Sequence, residues 1–398
     1  METSGEIDRD ALRAAYGRFL GAAPGRVLLT GHSHQAWPDA VMGALARAFD
    51  DAAKLVNDKW SEAVFPKIEA VGAAILDRMG FDRGDAIAFG KSTHELAYRL
   101  ITCLPPPSAR PRIVTTEGEF HSLNRQLRRL AEEGAEVVWV PARPREGLAE
   151  RLIEAIAPGT AMVALSAVLF EDAYIVPRLG EILERATSIG AVTLVDAYHA
   201  FNVVPIDWGP AKDRIFVTAG GYKYAAFGEG VCWLRVPAGC ELRPVYTGWF
   251  ADFGALSGDR GGVTYGPGGA RFSGATFDPT SFYRAEAALD HWDRFGLTPA
   301  RLRAISLRQT ERIVQRFDAA GLGDYIVSPR EGERRGGFVA IRAEEAASIV
   351  KRLRDRGVLV DSRGSLLRLG PAPYLSDAEI DRGSDAAIDE IQRANSPR

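Results

Sequence analysis

Two short stretches carry side chains that could do chemistry together. The first, VTLVDAYHAFNVVPIDW, opens on an apolar run from Val192 to Val195 and ends that run on Asp196. The second, FVTAGGYKYAAFGEG, follows an apolar start with two glycines, Tyr222-Lys223-Tyr224 and a Gly-Glu-Gly turn. Such runs predict buried strands of a parallel sheet. They deliver a carboxylate and an amine to the C-terminal ends of strands, the edge where open α/β sheets bind ligands. This pairing suits pyridoxal phosphate (PLP). The amine forms a Schiff base with the aldehyde, and the acid keeps the pyridine nitrogen protonated so that the ring accepts electrons. An apolar, glycine-rich setting would also lower the lysine pKa and make it a better nucleophile. Taken singly, Asp196 reads as a helix cap and Lys223 as a solvated group. Asp-x-x-His followed by Gly-Tyr-Lys-Tyr and a glycine turn points to function.

The elements that must position these residues alternate in type from about 86 to 236. Ala86 to Phe89 is a strand, and Gly90-Lys91-Ser92-Thr93 leads from it into a helix, Glu95 to Leu104. That junction is a natural anion site, because the free N–H groups of a first helical turn point at the loop. Ser92 reads equally well as an N-cap. Further strands are expected at Pro111 to Thr116, Glu136 to Val140, Met162 to Ser166 and Val231 to Val236, with helices between. The predicted fold class is therefore α/β, a mostly parallel sheet covered on both faces. The helix after Phe120 carries Arg125, Arg128 and Arg129 and reads as a solvated or subunit-facing surface. Tyr246 to Pro279 is rich in glycine and aromatics, and its aromatic content argues for an ordered, functional stretch. Two helices follow to Gly321. Strands at 325–327, 337–341, 359–360 and 366–369 then alternate with helices at 343–356 and 376–394, an α+β pattern. The expected division is an N-terminal arm (1–40), a large domain (41–279) and a small C-terminal domain (280–398).

Two more spots stand out. His32-x-His34 would put two imidazoles on one strand face, but no nearby ligand completes a metal site. Arg368 puts a charge in the apolar run Leu366 to Leu369, where charges rarely sit unpaired. Its guanidinium would either grip a carboxylate with two hydrogen bonds or form a structural ion pair.

The segments Asp196-Ala197-Tyr198-His199 and Gly221-Tyr222-Lys223-Tyr224, with the turn at Gly228-Glu229-Gly230, resemble those of fold-type I PLP enzymes of aminotransferase class V. Within that class they look most like the kynureninase family. The resemblance implies the two-lobed fold-type I architecture, PLP as cofactor and an amino-acid substrate. It implies Lys223 as the cofactor lysine, Asp196 on the ring nitrogen and Phe120 stacked on the ring. Ser92, Thr93, Tyr222 and His199 would lie around the phosphate, with Tyr222 also a proton donor. Arg368 would take the substrate carboxylate, with His32 and Ser33 nearby. Trp249 and Thr276 would reach the phosphate region of a second subunit, which implies a homodimer with shared active sites. The implied reaction is hydrolytic Cβ–Cγ cleavage of L-kynurenine or a related γ-oxo amino acid to alanine and an acid. The chain departs from the family pattern at His32, His121-Ser122, Ala200 and Glu229. These departures bear on the substrate and leave an aminotransferase or a C–S lyase as alternatives. A desulfurase would want a mobile cysteine late in the chain, and none follows Cys240.

Composition bounds the rest. The chain has 398 residues, 46% apolar and 25% charged, with a formal net charge of -3. Those proportions fit a globular protein with a large core and give no footprint for nucleic acid or an anionic membrane. No apolar run reaches the length of a membrane span. The acidic start METSGEIDRD does not read as a signal peptide, and the three cysteines show no paired spacing. A cytoplasmic setting is expected. No Gly-x-Gly-x-x-Gly follows a strand near the start, which disfavours a dinucleotide enzyme.

Overall fold

Short runs buried on both faces pair laterally, and amphipathic segments cover them. The structure, a computed structural model, describes residues 7–255 and 261–395. Residues 256–260, inside the stretch expected to be ordered by its aromatics, lie outside the described residues. After a two-residue strand β1 (Val27–Leu28), seven strands build the main sheet. They are β2 (Ala86–Gly90), β3 (Arg112–Thr116), β4 (Glu136–Val140), β5 (Thr160–Ser166), β6 (Val192–Asp196), β7 (Phe216–Gly220) and β8 (Cys232–Val236). Their order is β2-β8-β7-β6-β5-β3-β4. The five from β4 to β7 are parallel neighbours, while β8 is antiparallel to both β7 and β2. Two reversals restore direction, so the C-terminal ends of β2, β3, β5, β6 and β7 share one edge of the sheet.

Every residue of β7 and β8 is buried, including the charge on Arg235. Both terminal nitrogens of that guanidinium are paired within the fold. Nη2 donates to Asp85 Oδ1 at 2.6 Å and Nη1 to the Ile215 carbonyl at 2.5 Å. The pair ties the buried returning strand to the loop that opens β2.

Four short strands follow: β9 (Val339–Arg342), β10 (Val358–Leu359), β11 (Asp361–Arg363) and β12 (Leu366–Leu369). β11, β12 and β9 form an antiparallel sheet, and helices Ala346–Asp355 and Asp377–Asn395 belong to this α+β part. β1 pairs in parallel with β10, and Thr30 bridges Gly370, so the N-terminal segment is clipped onto the C-terminal part of the chain.

One local expectation is corrected. Tyr325 to Val327 is no strand; only Ile326 bridges Ile341. The reason lies at Ser328, whose Oγ accepts the Ala340 N–H at 2.8 Å and takes the amide that a longer ladder would need. The N-terminal segment forms two short helices, Arg9–Ala14 and Gly17–Gly21. They are followed by helix Ala40–Leu55, a π turn at Trp60–Val64 and helix Phe65–Met79. No helix among the described residues is long and apolar enough to cross a membrane.

Removing the Asp85 carboxylate would strand the Arg235 charge in the sheet interior. Asp85→Ala is expected to cost roughly 3–5 kcal/mol, read as a lower denaturant midpoint. Arg235→Met, which removes the charge itself, should cost clearly less.

Candidate active site

The shared sheet edge gathers side chains from loops far apart in sequence. β6 ends on Asp196, whose Oδ1 accepts the Tyr198 N–H at 2.8 Å and shapes the turn after the strand. β7 ends on Gly220, and a Cβ there would meet the Tyr198 hydroxyl at 2.5 Å. Only glycine lets the chain pass Tyr198 and swing Lys223 back over the edge. Lys223 is buried, and its Nζ lies 2.9 Å from His199 Nε2. The amine also stands 4.3 Å from the centroid of the Tyr198 ring and 5.3 Å from that of Phe120.

Asp196, Lys223, His199, Tyr198 and Phe120 line one cleft with Thr93, Ser166, Val168, Phe170 and Tyr222. A second cleft shares Thr93, Phe120 and Asp196 and continues past His94, Ser122 and Gln126. Phe120 therefore stands between two connected spaces. Its ring is set edge-on to Phe170, with centroids 5.4 Å apart.

Burial governs the electrostatics. Desolvation brings the Lys223 amine down to about 7; Asp196 opposes this, while Arg368 and Arg363 add to it. Burial likewise raises the Asp196 carboxyl, with the Tyr198 N–H and Lys223 pulling it back. His199 is held well below its ordinary value by burial and then by the Lys223 and Arg368 charges, so it is neutral. Its Nε2 faces the amine, and its Nδ1 has no partner within the chain.

The other expected residues are placed as follows. Thr93 lines both clefts. Ser92 caps helix Thr93–Ile101, its Oγ accepting the Glu95 N–H at 3.2 Å. Tyr222 lines the first cleft and stacks on His34, with centroids 5.1 Å apart. Ser33 donates to the Thr30 carbonyl at 3.2 Å. Trp249 and Thr276 are exposed and line neither cleft of their own chain.

Two sequence readings change. His32 and His34 lie in a turn, not on one face of a strand; His32 is fully buried and His34 is exposed. An acid does lie next to His32, supplied from the other end of the chain: Nε2 is 2.9 Å from Asp361 Oδ1. Gly370 is pressed against the His32 ring and leaves no room for a side chain. Arg368 makes the ion pair that the sequence left as one alternative. Nε and Nη2 meet Asp361 Oδ1 and Oδ2 at 2.8 and 2.5 Å, and Nη1 donates to the Phe170 carbonyl at 2.5 Å. Burial opposes the Asp361 charge, but His32 and Arg368 overcome it and hold this carboxyl well below the usual range.

Sequence reasoning missed four residues. Glu119 is buried next to Phe120, and its two oxygens accept from Thr116 Oγ1 at 2.5 Å and Ser166 Oγ at 2.6 Å. Burial raises its carboxyl to about 7. The strand end at Ser166 was a usable signal for that residue, since β5 pairs Ser166 with Asp196. Asp361 and Arg363 gave none, being far along the chain.

The residues present fit a PLP-type group. A buried amine of lowered pKa, a carboxylate, a free aromatic face and a capped helix N-terminus surround one space, and His199 Nδ1 is unpaired within the chain. Comparison with known proteins points the same way. Residues 302–386 match the profile of the kynureninase C-terminal domain. A kynureninase from Geobacillus thermodenitrificans is 24% identical over 96% of this chain and 92% of its own length. The fold superposes on a cysteine desulfurase from Thermococcus onnurineus with a TM-score of 0.81 at 18% identity, covering 98% of this chain and 99% of the other. It also superposes on the cystine C-S lyase C-DES, with a TM-score of 0.77 at 19% identity over 93% and 99% of the two chains. The chain thus has the fold-type I architecture of PLP-dependent enzymes and is similar to kynureninases over most of its length.

Proposed function

We infer that the protein is a PLP-dependent enzyme that hydrolyses the Cβ–Cγ bond of a γ-oxo amino acid such as L-kynurenine, giving alanine and an acid. One observation carries the cofactor: a buried lysine amine, lowered to about 7, in a cleft with Asp196 and Phe120. The match of residues 302–386 to the kynureninase C-terminal domain supports the choice of reaction. When bound, PLP supplies an aldehyde for the amine and a ring that draws electron density from the substrate α-carbon.

The chain's own residues divide the remaining work. Lys223 holds the cofactor and, once free, moves a proton at the α-carbon; an amine near neutrality can both give and take. Asp196 holds the ring nitrogen's proton, and Phe120 covers one ring face. Thr93 and Ser92 offer hydroxyls at a helix N-terminus, and His199 offers its unpaired Nδ1, to the phosphate side. Tyr222 donates a proton at the cleft mouth. Arg368, fixed by Asp361, presents its remaining N–H groups to the substrate carboxylate. A water oxygen adds to the γ-carbonyl carbon, the Cβ–Cγ bond breaks, and a proton returns to Cβ. Transamination or C–S lysis on the same scaffold is the second reading, favoured by the likeness to desulfurase and lyase folds.

We further infer a homodimer that completes each site from the partner, with domains dividing near 40 and 279. Trp249 and Phe253 are exposed large apolar side chains in one aromatic cluster, their centroids 4.7 Å apart. Val245, Tyr246 and Val263 are exposed in the same stretch. Exposed apolar surface gathered in this way is the mark of an interface.

Four measurements test this. PLP uptake by cofactor-free protein should speed up as pH rises through about 7, where the Lys223 amine loses its proton, and level off above. Lys223→Ala should lose the aldimine absorbance of the bound cofactor, and a pH-independent rate would remove Lys223 from the scheme. Mass spectrometry after incubation with L-kynurenine should find alanine with anthranilate, whereas a cyclised keto acid would mean transamination. Sedimentation should give a dimer that Trp249→Ala with Phe253→Ala weakens at least tenfold, an order expected for two buried aromatics.

A further inference from the structure

Glu119 lies outside the cleft and reaches it through one hydroxyl. It stands between β3 and helix His121–Glu132, directly before Phe120. The residue is 2% exposed, and both carboxyl oxygens are taken, Oε1 by Thr116 Oγ1 at 2.5 Å and Oε2 by Ser166 Oγ at 2.6 Å. The groups that face it are Thr116 of β3, Ser166 of β5 and the Asp196 carboxyl of β6, none of them a cation. Ser166 itself lines the cleft with Lys223, Asp196 and Phe120, and it pairs with Asp196 across the sheet.

A hydroxyl has one proton to give. Thr116 Oγ1 accepts the Gly118 N–H at 3.2 Å, so its own proton turns to Glu119 Oε1. The other oxygen, Oε2, meets Ser166, and the polarity of that bond follows the charge on Glu119. A carboxylate can only accept, which draws the Ser166 proton away from the cleft and leaves a lone pair facing it. A protonated carboxyl donates from Oε2 and releases the Ser166 proton to the cleft. Burial raises the Glu119 carboxyl to about 7, against the pull of the Ser166 and Thr116 bonds and with the Asp196 charge adding to the rise. Both arrangements are therefore populated around neutral pH. We propose that Glu119 is a positioning residue: it orients the Ser166 hydroxyl and so decides whether Ser166 meets a group bound in the cleft as an acceptor or as a donor.

The test has two arms, of which the spectral one rests on the reading of the cleft as a PLP site. Glu119→Gln keeps the side-chain shape and both bonds, but its amide donates to Ser166 at every pH. Ser166→Ala removes the hydroxyl. The visible spectrum of PLP-loaded wild type should change as pH crosses about 7 through a component that both variants lack, while other titrations of the cleft persist in all three. Infrared spectra of the cofactor-free protein should show a protonated-carboxyl band that fades over the same range, is missing from Glu119→Gln and shifts in Ser166→Ala. The alanine variant carries both arms if the glutamine variant fails to fold. A PLP-loaded Glu119→Gln titration that superimposes on wild type would overturn the proposal and leave Glu119 as an anchor for the Phe120 loop. An infrared band that is absent from wild type, or unmoved in Ser166→Ala, would overturn it as well. Wild type that takes up no PLP would overturn the reading of the cleft, and the infrared arm, which needs no cofactor, would then decide the Glu119–Ser166 pair by itself.

Discussion

Holding an amine out of water at the end of a sheet is the constraint on which the site depends. In bulk solvent the Lys223 side chain would be protonated at neutral pH and inert as a nucleophile. Burial under Phe120 and Tyr198, against a neutral His199, brings it down to about 7. Every strand ending at that edge serves this placement. β7 brings the lysine, β6 the counter-charge, β5 and β3 the hydroxyls and carboxyl around Glu119, and β2 the helix start at Thr93. The cost is a charged, polar interior, in which Glu119, Arg368 and Asp361 are paired while His199 Nδ1 is not.

A second buried network fixes the mouth. Asp361 joins His32, near the start of the chain, to Arg368, near its end. The ladder of β1 with β10 and the bridge from Thr30 to Gly370 bring the two ends together. A buried ion pair of this kind adds little net stability, but breaking it leaves an uncompensated charge. Its effect is on position: Arg368 cannot turn away.

The line between legible and illegible residues follows sequence separation. Asp196, Lys223, Phe120 and Thr93 could be read because each sits where a short apolar run stops, and strand ends share an edge in any parallel sheet. His32 was misread as half of a strand-face pair, because its partner is 329 positions away. Tyr325 to Val327 looks like a strand on propensity, but the Ser328 hydroxyl takes the amide it needed. Glu119 was passed over since nothing in its neighbours' types says that Thr116 and Ser166 converge on it.

By itself, then, the sequence determined the alternation of strands and helices, the strand-end carboxylate and amine, and the glycines that let the lysine loop turn. Local periodicity and turn chemistry suffice for those. Only the tertiary structure decided which acid His32 meets, that Arg368 is locked, and that Trp249 and Thr276 stand apart from their own chain's cleft. The reason is physical: those outcomes depend on which distant segments pack together, and on how far burial shifts a charge once they do.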